Sequence, residues 1–148
     1  MPLTRQQMDE MIDQHFAFEA TDDVDGVLST LAPDAVHDIV GWPAGPTVGR
    51  ENARRFYEAT FGDLAESRVT CVKRLYGEHF VVDESIWEGK APGRPFGIEG
   101  HGRPLKFRLL HVMEFADSGE IQRENVWLDL ATIMQQLPPE AEGDDAAQ

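Results

Sequence analysis

The residues in this 148-residue chain best placed to do chemistry lie in its last hairpin. Phe107, Leu109, His111, Met113 and Phe115 alternate along a strand and share one face. All but His111 are apolar, so this face turns to the core. Pairing Ala116 with Glu120 across Asp117-Ser118-Gly119 sets His111 opposite Asn125, Leu109 opposite Trp127 and Phe107 opposite Asp129. On that register Asn125, Trp127 and Asp129 also look inward. A carboxylate among Phe107, Leu109 and Trp127 is partly desolvated, which raises its pKa. Asp129 is then a usable general base near neutral pH. It is equally well placed to cap a helix beginning at Leu130, and the two roles are compatible. His111 fits either a pocket role or a hydrogen-bonded core histidine. At ~3.4 Å per residue the two groups lie ~13 Å apart along the strand. They would flank one substrate, or one of them alone would react.

Other candidates are open in the same way. His15 falls on the apolar stripe Met8, Met11, Ile12 and Phe16, as a core residue or a ligand contact. Asp83 and Trp87 share strand parity with Val81 and Ser85, but the opposite face is as apolar. Trp42 sits in a Pro/Gly loop, over a pocket mouth or on the surface. Cys71 reads as a buried strand residue. The five histidines show no HxxxH or HxH spacing, so no metal site is expected. Gly97, Gly100 and Gly102 do not lead from a strand into a long helix, so they form no nucleotide cradle.

The elements that must position these residues are legible from pattern. Thr4 and Gln7 form a capping box for a first helix. Asp22 or Asp23 caps a second, carrying Val24, Val27, Leu28 and Leu31 and ended by Pro33. A strand follows from Asp34 to Val40, then a Gly/Pro loop, then a helix from Arg50 to Phe61 stopped by Gly62. Arg68–Tyr76 and His79–Glu88 form a hairpin across Gly77-Glu78, and Leu105–Ala116 and Glu120–Asp129 form another. A short helix ends the pattern at Leu137. Helices first and consecutive strands after make an α+β layout, with helices on one face of a curved antiparallel sheet. The concavity of such a sheet is where small ligands bind.

Composition limits the partners. Thirteen basic against 27 acidic residues give a net charge of −14, which repels nucleic acid and anionic membrane surfaces. One cysteine allows no internal disulfide. No apolar run approaches a membrane span, and the N-terminus lacks the pattern of a signal peptide, so a cytoplasmic protein is expected. Residues 1–137 read as one domain, and 138–148 as an acidic disordered tail.

Several short pieces, in order, resemble the SnoaL-like polyketide cyclases and ketosteroid isomerases of the nuclear transport factor two-like superfamily. They are Asp23 to Gly26, Pro33 to Val36, the Gly49-Arg50-Glu51-Asn52-Ala53 helix start, Gly97 to Leu105, and Trp127 to Leu137. The resemblance implies a cone-shaped, cystatin-like α+β barrel with a deep apolar pocket, no cofactor, and a homodimer formed through the exposed sheet face. It also implies acid/base enolate chemistry on a small hydrophobic carbonyl compound, as an isomerase, cyclase or dehydratase. Asp129 matches the cyclases' acid/base position. Asp38 matches the isomerases' base if one residue is deleted in the preceding turn; otherwise Ile39 does. His15 and His111 stand where the isomerases carry their oxyanion-hole tyrosine and aspartate. A neutral imidazole there still donates to an enolate oxygen. Asn125, Trp127, Trp87 and Phe107 would shape the pocket. The alternative is a non-catalytic ligand-binding or dimeric scaffold protein of the same fold.

Overall fold

The computed structural model describes residues 2–140, so most of the expected acidic tail lies outside the described residues. Thr4 caps α1 (Arg5–Ala20) through the expected capping box, and Asp23 caps α2 (Val24–Ser29) by accepting from the Gly26 amide. Helix α2 ends before Leu31, which instead opens β1 (Leu31–Ile39); Pro33 lies within that strand, exposed. A two-residue strand β2 (Thr47–Val48) precedes α3 (Arg50–Asp63), which runs on through Gly62. The remainder is β3 (Ala65–Gly77), β4 (Phe80–Ala91), β5 (Arg103–Phe115), β6 (Ile121–Leu128) and α4 (Leu130–Gln136). The first hairpin turns at Glu78-His79, with His79 left-handed at φ 58°, one residue later than the sequence pattern places it. No helix among the described residues is long and apolar enough to cross a membrane.

The six strands form one curved sheet in the order β2-β1-β6-β5-β4-β3. It differs from the expected architecture in two respects. The sheet is open, with β2 and β3 as edges, and is not a closed barrel. It is also mixed, because β1 runs parallel to β6. Apolar packing falls into two clusters. One joins Met8, Ile12, Val27, Leu28, Tyr57, Met113 and Ile121, seating the three N-terminal helices on the sheet. The other joins Leu64, Trp87, Leu105, Phe107, Ile133 and Leu137.

One irregularity decides what the concave face carries. The turn around Gly119 (φ 91°) holds Phe115 opposite Ile121, the register read from the sequence. The ladder then shifts by one residue, and Glu114 pairs with Arg123. An extra residue in one strand is a β-bulge, and a one-residue slip sends every later side chain to the other face. His111 therefore opposes Val126 rather than Asn125, and Leu110 opposes Trp127. Glu124, Val126 and Leu128 line the interior instead of Asn125, Trp127 and Asp129.

Candidate functional site

Members of both apolar clusters line a cavity of about 360 Å³. Its greasy wall includes Phe16, Phe61, Leu64, Trp87, Phe107 and Val126. Trp87 on β4 and Phe107 on β5 stack at 5.3 Å on this wall. Phe96, left-handed at φ 54°, stands edge-on between Phe107 and the Gly/Pro-loop residue Trp42.

Two polar clusters interrupt this wall. The first lies on β3, β4 and β5. His111 is buried, faces the cavity and touches Phe16, with ring centroids 5.0 Å apart. Its Nδ1 stands 3.7 Å from an Asp83 oxygen, beyond hydrogen-bond reach, and has no other partner. Asp83 is fully buried, across from His111 in the β4–β5 ladder. It accepts from the Ser85 hydroxyl and, at 2.8 Å, from Arg74 Nε. Arg74 also donates to Asp9 and Asp13 on α1. Burial alone would raise the Asp83 pKa, but His111, Ser85 and Arg74 outweigh it and hold the carboxyl at about 2.

The second cluster joins α1, α3 and β6. His15 is fully buried, and its Nδ1 lies 2.7 Å from Thr30 Oγ1. That hydroxyl donates to the Val27 carbonyl at 2.6 Å, so it accepts the imidazole's proton. The other nitrogen, Nε2, lies 2.8 Å from Glu19 and 3.3 Å from Glu124. Tyr57 donates its hydroxyl to Glu124 at 2.7 Å. Burial disfavours a charged His15, but Glu124 and Glu19 overcome it and lift its pKa to about 10. Burial likewise opposes ionised Glu124, yet His15 and the other nearby histidines hold it well below the usual carboxylate range. Burial, then the adjoining carboxylates, push the Tyr57 phenol well up.

The expected site residues divide between the two faces. His111, Trp87 and Phe107 line the cavity, and His15 lies buried just behind its Glu19–Glu124 wall. Asp129 does not line it: it caps α4, accepting from the Thr132 amide at 3.2 Å and the Thr132 hydroxyl at 2.7 Å. Those bonds lower its pKa, the reverse of the expected rise. Asp38 turns away as well, 3.6 Å from Arg123, while His37 and Ile39 point to the interior. Asn125 accepts from Arg123 at 2.9 Å on that outer face, and Trp127 is 41% exposed there. Cys71 is exposed at the cavity rim rather than buried in the sheet.

Sequence reasoning missed Glu124, Glu19 and the bond from Tyr57 to Glu124. Glu19 follows His15 by four residues, a same-face helical spacing that signals half of the cluster. Glu124 gave no such signal, because the bulge alone turns it inward.

The family model for SnoaL-like polyketide cyclases matches residues 6–137. The chain belongs to that family. No curated protein matches its sequence. Among solved structures, TsrD from Streptomyces laurentii superposes with a TM-score of 0.79 at 18% identity, covering 92% of this chain and 98% of that one. An epoxide hydrolase of M. tuberculosis, described as LEH-like, gives 0.70 at 17% identity over 89% and 90%. A protein with a ketosteroid isomerase-like fold from Catenulispora acidiphila, in complex with trimethylamine, gives 0.72 at 17% over 86% and 92%. At these identities the likeness is one of fold. The SnoaL-like member and its neighbours share an enzyme-like architecture that hosts several chemistries.

Proposed function

We propose that this SnoaL-like chain is an enzyme that moves a proton next to the carbonyl of a small hydrophobic compound, with His111 as the general base. The observation that carries this reading is a buried imidazole, free at Nδ1 of any close partner, on the wall of an otherwise apolar 360 Å³ cavity. The volume suits a substrate of one to three rings. His111 takes a proton from the carbon beside the carbonyl, and the bonding electrons pass to the carbonyl oxygen as an enolate. Returning the proton to a different carbon gives an isomer. Attack of the enolate carbon on a second carbonyl of the same molecule closes a ring. Loss of a β-hydroxyl as water gives dehydration. Asp83 acts through His111 as a positioning residue: its charge favours the imidazolium that forms when the proton is taken.

Asp129 and Asp38, the bases the family resemblance implies, are better read as a helix cap and an outer-face partner of Arg123. The homodimer implied by the resemblance would use that outer face, where Leu110 opposes the exposed Trp127; light scattering on the purified protein tests it.

The test of the reaction class needs no knowledge of the product. Aryl ketones and β-diketones are incubated with the protein in D₂O, and exchange at the α-carbon is followed by NMR. Catalysed exchange supports the reading. Ligand-induced thermal stabilisation with no exchange would instead establish a binding protein and overturn it.

A further inference from the structure

We infer that His15, Glu19 and Glu124 form a site for a divalent transition-metal cation at the edge of the cavity. Four observations converge on it. The donor atoms, one imidazole nitrogen and two carboxylate oxygens, all lie within 4.8 Å of one another. At metal–ligand bonds of about 2.1 Å, adjacent ligand atoms stand about 3.0–3.4 Å apart, and opposed ones about 4.2 Å. The separations of 2.8 Å and 3.3 Å from His15 Nε2 are already close to those of adjacent ligands.

The second observation is the orientation of His15. Its Nε2 is fully buried and satisfies no hydrogen bond, although two carboxylates lie beside it. The nitrogen thus stands within 2.8 Å and 3.3 Å of two carboxylate oxygens without a well-formed hydrogen bond to either. Third, the groups behind the ligands are those that fix them: Thr30 holds the proton on Nδ1, and Tyr57 donates to Glu124. A histidine anchored through its far nitrogen and a ligand carboxylate anchored by a donor are the usual support of a metal site.

Charge is the fourth. One imidazolium among two carboxylates leaves a net negative charge beside an apolar cavity, where it is costly. A dication with a neutral imidazole balances both carboxylates. Glu19 and Glu124 both line the cavity, so the remaining coordination positions open onto it. Mixed nitrogen and oxygen donors suit Zn²⁺, Mn²⁺ or Co²⁺ better than Mg²⁺ or Ca²⁺. A cation there would polarise a carbonyl oxygen as a Lewis acid. That use rests on the acid/base reading, but the site itself does not.

The full-length protein, stripped with a chelator, is titrated with Zn²⁺ by calorimetry and with Co²⁺ by visible absorption. One saturable site per chain is expected, with Co²⁺ bands that Zn²⁺ displaces. Glu19→Gln should weaken binding at least ~10-fold, the low end for disturbing a metal site, and exposed His101→Ala should not change it. Glu19 is partly exposed, and circular dichroism checks that its variant folds. In the wild-type protein, Zn²⁺ should shift the His15 ring resonances. Absence of a saturable site, affinity unmoved by Glu19→Gln, or unshifted His15 resonances would overturn the inference. Metal binding and α-carbon exchange are read separately, so either proposal can fail alone.

Discussion

The two polar clusters on the cavity wall use the same kinds of residue to opposite ends. Around Asp83 a single buried carboxylate accepts from Arg74 and Ser85, while His111 lies nearby at 3.7 Å, beyond hydrogen-bond reach. Around Glu124 two carboxylates share one imidazole, and Tyr57 is committed to Glu124 as well. Buried charges persist only when paired, and a paired group is a weak acid or base. A group proposed to react is therefore sought among those its surroundings leave over. On the proposed reading that group is His111 in the first cluster, whereas His15 and Tyr57 in the second are committed to carboxylates.

The largest effect should come from breaking the second cluster. Glu124→Leu leaves Tyr57 without its acceptor and His15 with Glu19 alone, and should cost about 3–5 kcal/mol in chemical unfolding, the usual cost of breaking a buried pair. Tyr57→Phe removes one hydrogen bond to a charged group and should cost about 1.5–3 kcal/mol. A similar loss for both would mean that Glu124 is not held as described.

The first cluster should respond to acid. Asp83 ionises at about 2 in the fold against an ordinary 3.8. Its folded pKa lies below the unfolded one, so its stabilisation is complete above the unfolded value. That contribution, on the order of 2 kcal/mol, is lost as pH falls from about 4 to 2. Comparing denaturation of the wild type and Asp83→Asn over that range isolates it; parallel pH profiles would contradict the assignment. The smallest effect belongs to the outer face. Asp38→Asn disturbs only a loose pair with Arg123 at 3.6 Å and should change stability by under about 1 kcal/mol.

The elements themselves were largely legible. Thr4 and Asp23 cap where their side chains predict, because capping is a local event that neighbouring residues decide. The inward face of β5 was equally plain, since one polar residue among four apolar ones leaves no alternative. The site was only half legible, and two long-range facts explain why. No glycine or other marker announces the bulge after Ile121, yet it exchanges Asn125, Trp127 and Asp129 for Glu124, Val126 and Leu128. In β1 the two faces Ala35/His37/Ile39 and Val36/Asp38/Val40 are equally apolar. Packing against α3 decides between them, with His37 seated 4.6 Å from Phe56 and 5.2 Å from Tyr57.

The most direct trial sets three substitutions side by side in the α-carbon exchange experiment: His111→Gln, Asp129→Asn and Asp38→Asn. The structure predicts a loss of at least ~100-fold for His111→Gln, the low end for removing a general base, and near wild-type rates for the two aspartate variants. Exchange that survives His111→Gln but collapses in Asp129→Asn or Asp38→Asn would contradict the assignment of the base.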